Sequence, residues 1–218
     1  METIVIDYGS GNLRSAANAL ERAGRETGAG GTVTVTGDAS ALDKADRIVL
    51  PGVGAFGDCA ASLRSLPGMT EAMERNVREK NKPFLGICVG MQLMATRGIE
   101  HGQHDGLGWI PGEVHPLNPL DATLKVPHMG WNVVTPTSTK THPVLTGLAK
   151  TAHAYFVHSY SIICKNETDM LATSDHGGQF AAVTGRDNMI GTQFHPEKSQ
   201  AAGLRLLGNF LKWDGGSI

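Results

Sequence analysis

The chain has 218 residues, 40% of them hydrophobic and 18% charged, with a formal net charge of −2. That is ample material for a buried core and speaks against disorder. It offers no basic face for nucleic acid, and no apolar run approaches the ~20 residues needed to cross a bilayer. The start, Met1-Glu2-Thr3-Ile4-Val5-Ile6-Asp7, has no basic segment or small-residue cleavage site and reads as a first strand, so a cytoplasmic location is expected. Cys59, Cys88 and Cys164 are an odd set at spacings of 29 and 76, neither a disulfide framework nor a CxxC site. His101 and His104 form an H-x-x-H on a Gly-rich stretch beside Asp105 alone, so a solvated loop is expected there and no metal site.

Strand and helix signals alternate through the first hundred residues. Residues 3–7 are a β-branched run ending in a Tyr8-Gly9-Ser10-Gly11 turn, which opens a helix over 12–23. Residues 28–31 read as a flexible Gly-rich loop, 32–36 as a strand, and 47–50 as a buried strand closed by Pro51-Gly52. Helices are expected over 58–66 and 70–80, the latter with Met69, Met73 and Val77 on one face. An apolar strand at 83–87 then runs into a helix over 91–97. Such units imply parallel strands with helices on both faces. Beyond Trp109 the texture changes to short strands at 112–115, 131–135, 154–163, 180–184 and 189–194, an antiparallel continuation of the sheet or a small companion to it. A helix over 199–213 closes the chain, with Leu204, Leu207 and Leu211 on one face. With no repeat and no long linker, one α/β domain over 1–218 is expected.

Gly52-Val53-Gly54-Ala55-Phe56-Gly57 matches the G-x-G-x-x-G of dinucleotide sites. The next strand ends in Cys88 and Val89, with no acidic residue to hold a ribose, and Pro51 interrupts the turn. No nucleotide cofactor is expected. The loop reads either as a structural turn or as a source of backbone N–H donors for another group.

Gly86-Ile87-Cys88-Val89-Gly90 is the thiol form of a nucleophile elbow. A residue on so sharp a turn is held in a disfavoured φ/ψ region, and glycines two positions either side remove the Cβ atoms that would clash. The following helix N-terminus favours thiolate, and the Val89 N–H can donate to a tetrahedral oxyanion. The plain alternative is a buried cysteine in a tight βα turn. A thiol nucleophile needs an oriented base. His195-Pro196-Glu197 offers one: Pro196 keeps His195 extended, and Glu197, two residues on, can accept from one imidazole nitrogen.

On these residues the chain resembles the class I (triad) glutamine amidotransferases, whose marks are the G-x-C-x-G elbow with a following Gln, here Gln92, and a distal H-P-E. Four further segments, Asp7 to Ser15, Pro51 to Gly57, Val126-Pro127-His128-Met129-Gly130-Trp131-Asn132 and Tyr155-Phe156-Val157-His158-Ser159-Tyr160, are similar to the branch of that family working in histidine biosynthesis. The resemblance runs from about residue 2 to 213. It implies a flavodoxin-like α/β fold with a mixed, mostly parallel sheet, and a catalytic triad of Cys88, His195 and Glu197. It implies that L-glutamine is hydrolysed through a thioester, without a cofactor. Gly52, Val53 and Gly54 would supply oxyanion donors beside Val89, while Gln92, Ser159 and Tyr160 would hold glutamine. Ammonia would pass to a separate (β/α)8-barrel synthase (cyclase) subunit in a heterodimer, with Asn12, Trp131, Tyr155 and Lys198 near the interface. Trp131 and Tyr155 could equally be core residues, and Lys198 a surface charge. A non-catalytic relative would be expected to have lost a triad member, and the V-P-H-M-G-W-N segment favours histidine biosynthesis over GMP, anthranilate or pyridoxal phosphate synthesis. Three departures stand out: a longer, Gly-richer stretch at 25–32, Val89 where Leu is commoner, and a tail at 214–218 without counterpart.

Overall fold

A computed structural model describes residues 1–137, 142–148 and 152–216. The first half follows the strand–helix alternation of the sequence: β1 (Glu2–Ile6), α1 (Leu13–Thr27), β2 (Thr32–Thr36), β3 (Arg47–Gly52), α2 (Phe56–Ser65), α3 (Met69–Met73), β4 (Phe84–Cys88) and α4 (Val89–Gln92). Helix α3 continues into a wider π-helical stretch, Glu74–Glu79. The second half holds β5 (Ala95–Gly98), β6 (His104–Asp105), β7 (Ile110–Pro116), β8 (His128–Pro136), β9 (Ala152–His158), β10 (Tyr160–Cys164), β11 (Met170–Asp175), β12 (Gln179–Arg186), β13 (Met189–Thr192) and α5 (Gln200–Lys212).

Among the described residues, nine strands form one sheet in the order β2-β1-β3-β4-β13-β12-β11-β8-β9. The β2-β1-β3-β4-β13 half is parallel throughout. From β13 outward every pairing is antiparallel, so the sheet is mixed. In β3 and β4, residues 48–52 and 84–88 are buried one after another, as in a sheet covered on both faces. Helix α1 packs against α5, where Gly24 meets Leu211 and Gly208 meets Thr27. Helix α2 packs against α3 and α4. Among the described residues, no helix is long and apolar enough to cross a membrane.

Several features differ from the sequence reading. The helix expected over 91–97 stops at Gln92. The Leu93, Met94, Ala95 and Thr96 carbonyls accept instead from backbone N–H groups of residues 106–110, which turns the chain into β5 of a second, four-stranded sheet, β10-β7-β5-β6. The single strand expected over 154–163 is two. It breaks at Ser159, with β9 in the large sheet and β10 in the small one. Strand β11 had no signal, because its buried Thr173 and Ser174 blur the apolar pattern. The Gly-rich stretch is short: α1 runs to Thr27, Gly28 ends it in a left-handed conformation (φ 68°), and β2 begins at Thr32. Of the unmatched tail, residues 217 and 218 lie outside the described residues.

Candidate active site

Strand β4 delivers Cys88 to the carboxyl edge of the parallel strands, where ligands of such sheets collect. Cys88 has φ 55° and ψ −113°, a conformation that a residue with a side chain holds only under constraint. The constraint is packing around the two flanking glycines. A Cβ on Gly86 would stand 2.6 Å from the Gly90 carbonyl oxygen, and one on Gly90 would collide with the carbonyl oxygen of Leu50. The helix after the elbow is a single turn, so its field at the sulfur is that of its first N–H groups rather than of a long macrodipole.

His195 and Glu197 are held behind the elbow. The His195 N–H donates to the Tyr155 carbonyl (3.0 Å), and its own carbonyl accepts from the Ser199 hydroxyl (2.7 Å), whose oxygen in turn accepts from Tyr155 N–H (2.9 Å). His195 Nδ1 lies 2.8 Å from Glu197 Oε1, and each side chain is only 2% exposed. A 3₁₀ turn, Pro196–Lys198, closes this contact, where the sequence suggested extended chain. Burial opposes charge on His195, yet the Cys88 sulfur and the Glu197 carboxylate outweigh it and lift its pKa to about 9. Among the described residues its Nε2 has no other hydrogen-bond partner, and it lines the cleft together with Cys88, whose sulfur is the first of the groups that raise its pKa.

That cleft has a volume of about 260 Å³; its lining includes Val53, Gly54, Cys88, Val89, Gln92, Ser159, Tyr160 and His195, all expected from the sequence to serve one site, and also Glu100, Pro127, Val157 and His158, which were not. Gly52 lies just behind, paired with Cys88 across β3 and β4. The Val53 N–H donates to Ser10 Oγ (3.4 Å), whose hydroxyl donates to the Val53 carbonyl (2.6 Å). Cys59 Sγ lies 3.3 Å from the same carbonyl. The loop therefore engages Ser10 and Cys59, which the sequence reading did not single out. Gln193 was missed as well. It is fully buried, places Nε2 3.7 Å from the Cys88 sulfur, and accepts from Gln92 Nε2 at 3.1 Å. Its signal was only its place two residues before His195.

Trp131 is 47% exposed, so it is not a core residue. Its ring meets that of half-buried Tyr155 edge-on at 6.0 Å, and Lys198 Nζ lies 5.8 Å over the Tyr155 ring. Asn12 precedes α1, its carbonyl accepting from Ala16 N–H. His101 is exposed and His104 Nε2 lies against the Glu100 carbonyl at 3.1 Å. Among the described residues, no three His, Cys, Asp or Glu side chains are grouped to hold a metal.

Residues 4–213 match the family model described as glutamine amidotransferase class-I. The chain is 54% identical over 216 residues to the imidazole glycerol phosphate synthase subunit HisH of Brucella suis biovar 1 (strain 1330), covering 98% of this chain and 99% of that protein. It is 56% identical over 213 residues to the subunit of the same name from Ruegeria pomeroyi, with the same coverage. Among solved structures, a glutamine amidotransferase aligns with a TM-score of 0.71 at 18% identity over 96% of this chain and 97% of that one. The glutaminase domain of a Trypanosoma brucei CTPS aligns with a TM-score of 0.63 at 14% identity, over 100% and 98%. These two show likeness of fold alone.

Proposed function

The chain belongs to the class-I glutamine amidotransferase family, and on that premise we propose that it is the glutaminase subunit of an imidazole glycerol phosphate synthase. In this reading, residues 1–218 form one domain of a cytoplasmic heterodimer. The observation that carries it is the buried His195–Glu197 pair opening onto the same cleft as Cys88 in its constrained elbow.

The Cys88 thiolate attacks the side-chain amide carbon of L-glutamine, and the charge that develops on oxygen is met by the Val89 N–H and by the Gly52-Val53-Gly54 loop. His195, held protonated by the Cys88 sulfur and the Glu197 carboxylate, gives its proton to the departing ammonia. A thioester remains on Cys88. Water, deprotonated by His195, then attacks it and releases glutamate. Gln92, Ser159 and Tyr160 hold the substrate along the cleft wall. Ammonia passes to a (β/α)8-barrel cyclase partner, which uses it to make imidazole glycerol phosphate and AICAR. Trp131, Tyr155, Lys198 and Asn12 lie toward that partner. With its N–H donated to Ser10, Val53 must turn before it can serve the oxyanion, and Gly54 at φ 103° accommodates such a turn. Seating of the partner is the event that turns it.

Glutamate release from glutamine by the assembled enzyme tests this. Cys88→Ala is expected to lower turnover by on the order of 10⁴-fold or more while the fold persists. Turnover surviving in that variant would remove Cys88 from the mechanism. Equal turnover with and without the partner would remove the partner's control of the loop. A non-catalytic role is disfavoured by the intact triad, and trapping a thioester on Cys88 by mass spectrometry would exclude it.

A further inference from the structure

Strand β8 turns Met129 and Trp131 outward, 64% and 47% exposed, and its alternate residues His128 and Asn132 the other way. His128 stands opposite His158 in the β8–β9 register, and both imidazoles are more than nine-tenths buried. His128 also stacks on His176 at 4.2 Å, whose Nε2 is engaged with the Lys125 carbonyl at 2.9 Å. A run of short contacts then crosses from the large sheet to the small one. Asn132 Nδ2 lies 3.2 Å from His128 Nε2, His128 Nδ1 lies 3.0 Å from His158 Nε2, and His158 Nδ1 lies 2.9 Å from the Tyr160 carbonyl.

The direction of every proton in this run is fixed from both ends. Asn132 Oδ1 accepts from Val133 N–H (2.8 Å) and its Nδ2 also donates to the Asp175 carbonyl (2.7 Å), so its amide can face His128 only as a donor. At the far end the Tyr160 carbonyl can only accept. His128 and His158 must therefore both be neutral and both carry their proton on Nδ1. Burial favours that neutrality, lowering their pKa values to about 4 and about 3. The Tyr160 carbonyl also accepts from Gln92 Nε2 at 3.0 Å, and the same Nε2 donates to Gln193 Oε1. Gln193 Nε2 in turn reaches the Cys88 sulfur. Both hydrogens of the Gln92 amide are thus committed, and its oxygen is left as the acceptor that it can offer along the cleft.

We infer that Asn132, His128 and His158 are positioning residues, a one-way hydrogen-bond relay that fixes the Tyr160 carbonyl and through it sets Gln92 and Gln193 against substrate and sulfur. The inference rests on the glutaminase reading. It places the inner side of the proposed partner-facing strand in continuous hydrogen-bonded contact with the nucleophile.

Two measurements test it. Long-range ¹H–¹⁵N spectra of the protein at pH 7 are expected to show His128 and His158 protonated at Nδ1 and bare at Nε2. An Nε2–H form or an imidazolium at either residue would overturn the relay. In the assembled enzyme, His158→Leu is expected to lower kcat/KM for glutamine about tenfold, mostly through KM. His158→Asn, which keeps a donor at the δ position, should recover to within about threefold of wild type. Asn132→Ala, at the more accessible end of the relay, should cost about threefold without needing the core to repack. Equal losses in His158→Leu and His158→Asn, or none in either, would reduce these histidines to packing. Should the wild-type complex leave glutamine intact, the glutaminase reading falls instead, and the tautomers still judge the relay.

Discussion

Replacing Glu197 by Gln isolates the charge of the buried pair, because the amide oxygen can still accept from His195 Nδ1 where the carboxylate does so at 2.8 Å. A hydrogen bond to a charged partner contributes about 2 kcal/mol more than nothing, and a neutral acceptor about half that or less. With both side chains 2% exposed, little of the difference is screened by solvent. Loss of about 1–2 kcal/mol should lower the His195 pKa by roughly 0.7 to 1.5 units from its value of about 9. The alkaline limb of the glutaminase pH profile should move down with it, and turnover at pH 8 should fall roughly 1.5- to fourfold as the protonated fraction of His195 drops. Stability should follow the same linkage. A folded-state pKa above the ordinary 6.5 gives a contribution fully present below about 6.5 and lost as pH rises through about 9. The difference in Tm between wild type and Glu197→Gln should therefore be largest near pH 6 and shrink toward pH 10. Titration of the His195 ring protons by NMR, the glutaminase pH profile and thermal denaturation over that range read the three effects. An unmoved His195 midpoint, or a Tm difference that grows with pH, would refute the assignment of Glu197 as one of the two groups holding His195 charged.

The remaining expectations concern the elbow and the outer face. Gly90→Ala drives a methyl into the Leu50 carbonyl and should destabilise the fold by about 3 kcal/mol or prevent its recovery; a denaturation midpoint equal to wild type would show that the elbow is not packing-limited. Trp131→Ala removes an exposed ring, so Tm should hold while affinity for the cyclase partner drops by about 2 kcal/mol, roughly thirtyfold in Kd by calorimetry. A lowered Tm with unchanged Kd would return Trp131 to a purely structural role.

Local chemistry was legible in the sequence wherever its reach was local. The elbow could be read because two glycines and one cysteine are set by sterics within five residues, and the His195–Glu197 contact because two positions suffice to close it. The parallel half of the sheet was legible because β1, β3 and β4 are apolar runs and each is followed by a helical stretch. The helix expected after Cys88 failed for a non-local reason, since residues 106–110 compete for the carbonyls that a second helical turn would have used. The break at Ser159 was hidden because one β-branched, aromatic run serves equally well in either sheet. The functional consequences of those two misses are unequal. Ending the helix at Gln92 and splitting the strand at Ser159 bring the Gln92 amide to the Tyr160 carbonyl, 68 residues apart in sequence. Gln193 and the paired histidines depend on the same crossing. The residues that could be named in advance are those whose geometry the chain sets locally. The ones that register them against each other exist only where the two sheets meet, and a cut in the relay at His158 is therefore a sharper test of this site than a second substitution in the triad.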